Sequence, residues 1–113
     1  MPKKFRLSRA DFVRLEKSKH ERVHGDFFSL SIAPLPQSDG PKMASVVSKK
    51  VSARAVDRNR IERQCRETLQ SHMRAMSEPL ALVFRAKAAA AHAANVELGR
   101  DVERLLKRAR LIS

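Results

Sequence analysis

Residues 48–67 carry Lys49, Lys50, Arg54, Arg58, Arg60, Arg63 and Arg66 against Asp57, Glu62 and Glu67. Arginine forks match the geometry of phosphate oxygens, and Asn59 among them both donates and accepts hydrogen bonds. The chemistry on offer is therefore the binding of a polyphosphate chain. Bond breaking by protein side chains is not provided for. Ser48 sits beside two lysines, but no Asp/His relay accompanies it to make a nucleophile. Cys65 falls within an apolar stripe and reads as a buried structural thiol. His20 and His24 are four residues apart, yet they lie outside a helical pattern and lack a third ligand, so they do not read as a metal site.

The whole composition agrees with that reading. Among 113 residues, 24 Lys and Arg oppose 12 Asp and Glu, leaving a formal charge of +12. Holding so much like charge on a small globule costs self-repulsion, which a polyanionic partner relieves. Nucleic acid is the commonest such partner. The charge is also patterned: residues 1–24 hold eight basic side chains, residues 25–41 none, and residues 42–66 eight again. A basic arm and a basic centre separated by an apolar segment suit a shaped binding face. One cysteine excludes an internal disulfide and a cysteine-cluster zinc site. No stretch approaches the roughly 18 apolar residues of a membrane span. The charged start lacks the apolar segment of a secretory signal. These features point to a cytoplasmic protein with no membrane association.

The elements that must position the basic residues follow from hydrophobic periodicity. The length suits one domain spanning residues 1–113. Ser8 and Asp11 have capping-box spacing before a helix over residues 9–19, where Phe12 and Leu15 share a face. Residues 27–33, FFSLSIA, read as a strand with Phe28, Leu30 and Ile32 on one side and Ser29 and Ser31 on the other. Residues 34–41 contain three prolines and a Ser-Asp-Gly and make a connection. A second strand at residues 43–49 is expected to pair antiparallel with the first, because the connection is too short for a parallel crossover. A further short strand is possible at residues 20–24.

In the central helix Ile61, Cys65 and Leu69 form the anchoring stripe, with Met73 at its edge. Asn59, Arg63, Arg66 and Gln70 fall within about 60° of each other on the opposite flank. Asp57 can cap the helix or favour its dipole. The apolar run LALVF at residues 80–84 suits a covered central strand. Residues 86–94 read as either helix or alanine-rich linker. A final helix occupies residues 95–111. The order αββ(β)αβα describes an α/β fold, a two-layer α/β sandwich with a small mixed sheet.

Arg58-Asn59-Arg60, followed by Arg63, Arg66 and Glu67, resembles the signature of the bacterial ribonuclease P protein component. The resemblance continues through Val47-Ser48-Lys49-Lys50-Val51, Ala55-Val56, Arg6-Leu7 and Asp11-Phe12, and covers nearly the whole chain. It implies a central helix entered by a left-handed crossover. It also implies a protein subunit that joins a catalytic RNA to remove the 5′ leader of precursor tRNA, with catalysis in the RNA and no protein catalytic residues. Carried over by position, Lys49, Lys50, Arg54, Arg58, Asn59, Arg60, Arg63 and Arg66 meet the RNA subunit. Phe12 and Phe28, assisted by Arg9, Arg14 and Lys17, line a cleft for the leader. Strand alternation leaves open the contrary arrangement, in which Phe27 faces the cleft and Phe28 packs inward.

The implied cofactor is Mg2+, bound mainly by the RNA subunit and substrate phosphates, and the implied assembly is a protein monomer in a 1:1 complex with the RNA. Two positions depart from the family pattern: Glu62 stands where lysine is usual, and Glu16 where an aromatic residue is common. The rival reading is a general or ribosome-associated RNA-binding protein. A helix-turn-helix DNA reader is disfavoured because a strand, not a short helix, precedes the central helix.

Overall fold

The computed structural model describes residues 5–17 and 21–112. Ser8 opens α1 (Arg9–Lys17), its hydroxyl accepting the Asp11 backbone N–H at 3.1 Å. The expected extension of this helix through residues 18 and 19 lies outside the described residues, as does His20. The short strand expected near residue 20 is present as β1 (Glu21–His24), and it forms an antiparallel hairpin with β2 (Phe28–Pro34). After the proline-rich connection come β3 (Lys42–Val46), α2 (Ala55–Met73) and β4 (Leu80–Ala86). A 3-10 turn at Ala88–His92 leads to α3 (Asn95–Arg108). The alanine-rich segment is thus neither a full helix nor an open linker. Ala90 and Ala93 are small enough to be buried within it.

The sheet order is β1-β2-β4-β3, with β4 antiparallel to β2 and parallel to β3. The expected direct pairing of the strands now seen as β2 and β3 is corrected. They do run in opposite directions, but β4 lies between them. Ala81, Leu82, Val83 and Phe84 are all buried, and a strand this apolar gains most from the position covered on both faces. Neighbour pairing from loop length alone ignored that competition.

Alternation along the strands divides the interior in two. Leu30, Ile32, Leu82 and Phe84 meet the stripe of α2 and the apolar face of α3. Ile61, Cys65, Leu69 and Met73 are fully buried there, as the helical spacing predicts. On the other sheet face Ala33, Ala81 and Val83 join Leu7 and Leu15, so α1 adds a partial third layer to the expected two. The α3 prediction overran: the helix ends at Arg108, and Val96 in its first turn is exposed.

Candidate nucleic-acid interface

The turn after β3 exposes Lys49 and Lys50 before α2 begins. Arg54 precedes the helix without a side-chain cap, and Asp57 in the first turn accepts the Ser52 hydroxyl at 3.1 Å. Arg54 also lies 3.9 Å from the Asp57 carboxylate. Arg58 folds back, donating to the Ser52 and Ala53 carbonyls at 2.9 Å each. These contacts fix the entry to α2 and hold the first arginines close to the backbone.

Beyond that entry the helix separates the predicted residues. Asn59 and Arg63 are exposed, and Arg66 is partly exposed beside them. Arg66 and Glu62 form an ion pair at 3.5 Å, and both line a cavity of about 180 Å³ with Arg6, Leu7 and β3 residues. This flank therefore abuts the β3 edge of the sheet, where Leu7 donates its N–H to the Met43 carbonyl at 2.8 Å. Arg60 turns the other way. Its guanidinium donates to the Ala93 carbonyl at 3.2 Å and to Asn95 Oδ1 at 2.7 Å, joining α2 to the start of α3. Of the predicted set, Asn59, Arg63 and Arg66 are brought together, whereas Arg58 and Arg60 also hold the fold.

A second surface lies on the α1 face of the sheet. Strand register places Arg22, Ser31 and Val83 in one row and His24, Ser29 and Arg85 in the next. Ser31 is fully buried and Ser29 partly exposed, so this face of β2 forms a shallow trough floor between α1 and the edge strand β1, covered in part by neighbouring side chains. Arg85, which the sequence reading did not single out, rises from its floor. Its guanidinium donates to Ser31 Oγ at 3.2 Å, pairs with Glu16 and lies 5.7 Å from the centre of the Phe12 ring. Phe12 is partly exposed and packs at the margin of the α1-side core. Arg9, Arg14 and Lys17 are exposed on α1, and Arg14 donates to Gln37 Oε1 at 3.1 Å.

The expected cleft position of Phe28 is corrected. Its ring is fully buried on the α2/α3 side, 6.3 Å from Phe84 in an edge-to-face arrangement. Even residues of β2 face that core, so Phe28 goes with Leu30 and Ile32. Phe27, in the turn before β2, packs against the same cluster. Phe12 is then the aromatic at the trough.

Cys65 is buried in the stripe, as its spacing implies. Burial pushes its thiol well above the ordinary range; the Glu62 charge adds to the rise and Arg66 opposes it. Such a thiol is no nucleophile. Among the described residues no group of three or more His, Cys, Asp or Glu side chains could hold a metal ion, and no helix is long and apolar enough to cross a membrane. On α2, Asp57 and Glu62 are engaged by Ser52, Arg54 and Arg66, and with no group of three such ligands among the described residues this donor set does not fit a resident Mg2+.

The family model for ribonuclease P matches residues 1–110. The chain belongs to the bacterial ribonuclease P protein family. It is 30% identical over 112 residues to the ribonuclease P protein component of a Pseudanabaena strain, covering 99% of this chain and 97% of that one. The corresponding Acidothermus cellulolyticus protein is 32% identical, over 96% and 90% of the two chains. The structure of the Staphylococcus aureus ribonuclease P protein superposes with a TM-score of 0.86 at 26% identity, over 96% of this chain and 98% of that one. The Thermotoga maritima protein shares the fold, with a TM-score of 0.77 at 20% identity over 91% and 96% of the chains. As a ribonuclease P protein, the chain binds the ribonuclease P RNA and the precursor-tRNA leader and assists removal of that leader. Proteins of this family carry no catalytic residues themselves; the cleavage is RNA-catalysed and Mg2+-dependent.

Proposed function

We propose that the two surfaces divide the work of a ribonuclease P protein. The flank of α2 bearing Asn59, Arg63 and Arg66, with Lys49, Lys50 and Arg54 at its entry, meets the RNA subunit. Arg58 and Arg60 contribute from positions already braced by backbone carbonyls. The trough beside α1 receives the leader, with Phe12 stacking a base, Arg9, Arg14 and Lys17 along the rim, and Phe28 supporting the floor from the far side. The observation that carries this division is that α2 and α1 lie on opposite faces of one sheet. A leader on one face and the RNA subunit on the other need not compete for the same arginines.

Stacking and charge suit a leader whose sequence differs between substrates, since every base presents a π-face. The protein supplies affinity and screens phosphate repulsion. When bound by the RNA and substrate phosphates, Mg2+ would supply activation of the attacking water, and no residue of this chain need hold it. The family resemblance further supports a single cytoplasmic domain, monomeric in a 1:1 complex with the RNA, whose β3-α2-β4 crossover is left-handed.

Crosslinking tests the division. A precursor tRNA with a photoreactive leader should label α1 and the partly exposed Ser29 and Arg85, and photoreactive RNA subunit should label residues 49–66. Leader crosslinks confined to α2 would overturn the assignment of the trough.

A further inference from the structure

Arg85 is fixed on the floor of the trough by three neighbours: Ser31 Oγ at 3.2 Å, the Glu16 carboxylate, and the Phe12 ring. A guanidinium held against a carboxylate presents the same planar fork that a phosphodiester would use. The two partners differ in freedom. The Arg85 side chain is 27% exposed and anchored to the sheet, whereas Glu16 is 43% exposed on the surface of α1. A rotamer change can therefore carry Glu16 away while Arg85 remains.

We infer that Glu16 is a specificity-determining residue of the trough: it occupies the phosphate site on Arg85 and yields it to one backbone phosphate of single-stranded RNA. This rests on the trough being the leader site. The consequence is selective. An RNA whose chain enters far enough to bring a phosphate to Arg85 exchanges one ion pair for another and gains the stacking face of Phe12. Polyanions that only touch the basic rim meet a floor whose charge Glu16 has cancelled. The trough thereby discounts non-specific attraction without losing the cation it needs.

The test uses the reconstituted holoenzyme and compares precursor tRNA carrying a leader with mature tRNA lacking one. Glu16→Gln and, separately, Glu16→Ala should strengthen leader-dependent binding by about twofold to fivefold, the range of a partly exposed ion pair. The slope of log affinity against log salt should stay close to that of the parent, because Arg85 meets the same phosphate in both. Arg85→Gln should weaken leader-dependent binding and make a second change at Glu16 silent, because the pair acts as a unit. Circular dichroism confirms that each variant is folded.

If Arg85→Gln weakens leader binding while both Glu16 variants leave it unchanged or loosen it, the exchange is wrong and the trough stands. If neither Arg85→Gln nor Phe12→Ala alters the preference for a leader, the trough itself is wrong and the exchange falls with it.

Discussion

The carboxylate of Asp101, on α3, accepts the backbone N–H of Phe28 at 3.0 Å, across 73 residues of chain. The same carboxylate accepts the N–H groups of Asp26 and Phe27, also at 3.0 Å. It is 1% exposed, and it closes the β1–β2 turn in place of a neighbouring strand. Lys87 Nζ on the Gly25 carbonyl and Arg108 on the His24 carbonyl, each at 2.6 Å, complete the clamp. Because β1 is the outer wall of the trough proposed for the leader, a residue on the far side of the sheet fixes the shape of that proposed surface.

Removing that acceptor leaves backbone donors without partners, at least one of them buried. Asp101→Ala should lower unfolding stability by roughly 2–4 kcal/mol, given the cost of losing hydrogen bonds to a charged group. Gly25→Ala should destabilise by the same route, since an added Cβ would lie 2.6 Å from a carboxylate oxygen of Asp101. Urea denaturation of the isolated protein checks both. Unfolding midpoints equal to that of the parent would show that the turn holds without the clamp.

A contrast between two arginines separates binding from folding. Arg63 is exposed and forms no hydrogen bond or ion pair among the described residues, whereas Arg60 bridges α2 to the start of α3. Arg63→Ala should weaken RNA-subunit binding and reduce the salt slope by about one, with the melting temperature unchanged. Arg60→Ala should also cost about 1 kcal/mol of stability, the ordinary contribution of such bonds. Filter binding across a salt series and thermal melts read the two effects independently. Equal stability losses at both positions would return Arg63 to a structural role.

That contrast also shows where sequence reading stops. The stripe of Ile61, Cys65, Leu69 and Met73 follows from helical period because a helix repeats its faces locally. The central position of β4 follows from four consecutive buried apolar residues. Neither rule says which strand inserts beside which, and loop length alone pairs β2 with β3 without the more apolar β4 that lies between them. Strand alternation offered Phe28 two faces, and only packing against Phe84 selects one. Arg60 and Arg63 look equivalent in the sequence; the segment that reaches Arg60 lies more than thirty residues later. Asp101 carried an available signal, a lone acid among the apolar positions of α3, but its partners are backbone groups that no composition records.

Glu62 offers a test by charge reversal. Its carboxylate pairs with Arg66 at 3.5 Å, on the flank proposed to meet the RNA subunit. Glu62→Lys releases Arg66 and adds a cation, so the affinity for the RNA subunit should rise at low salt. The gain should fade as salt screens the exposed charges. Glu62→Gln should give a smaller gain of the same sign. Binding at several ionic strengths checks the order. An affinity indifferent to all three residues would mean that this flank faces away from the RNA.

The end of α3 provides a prediction about stability that leaves both surfaces untouched. Arg110 has φ of 61°, the left-handed region, just after the helix. The Leu111 N–H donates to the Leu106 carbonyl at 2.9 Å, and the Arg110 N–H to the Lys107 carbonyl at 3.0 Å. This is the Schellman pattern, in which glycine is favoured at the left-handed position because it has no Cβ to crowd the carbonyl. Arg110→Gly relieves that crowding but also loosens the unfolded chain. The steric term is the larger, so a net gain of about 0.5–1 kcal/mol is expected, a rise of roughly 2–6 °C in melting temperature for a domain of this size. Arg110→Ala removes the same charge while keeping a Cβ, and should leave the melting temperature close to that of the parent. Equal stabilisation by alanine and glycine would assign the effect to the lost positive charge, and the backbone account of this helix end would be wrong.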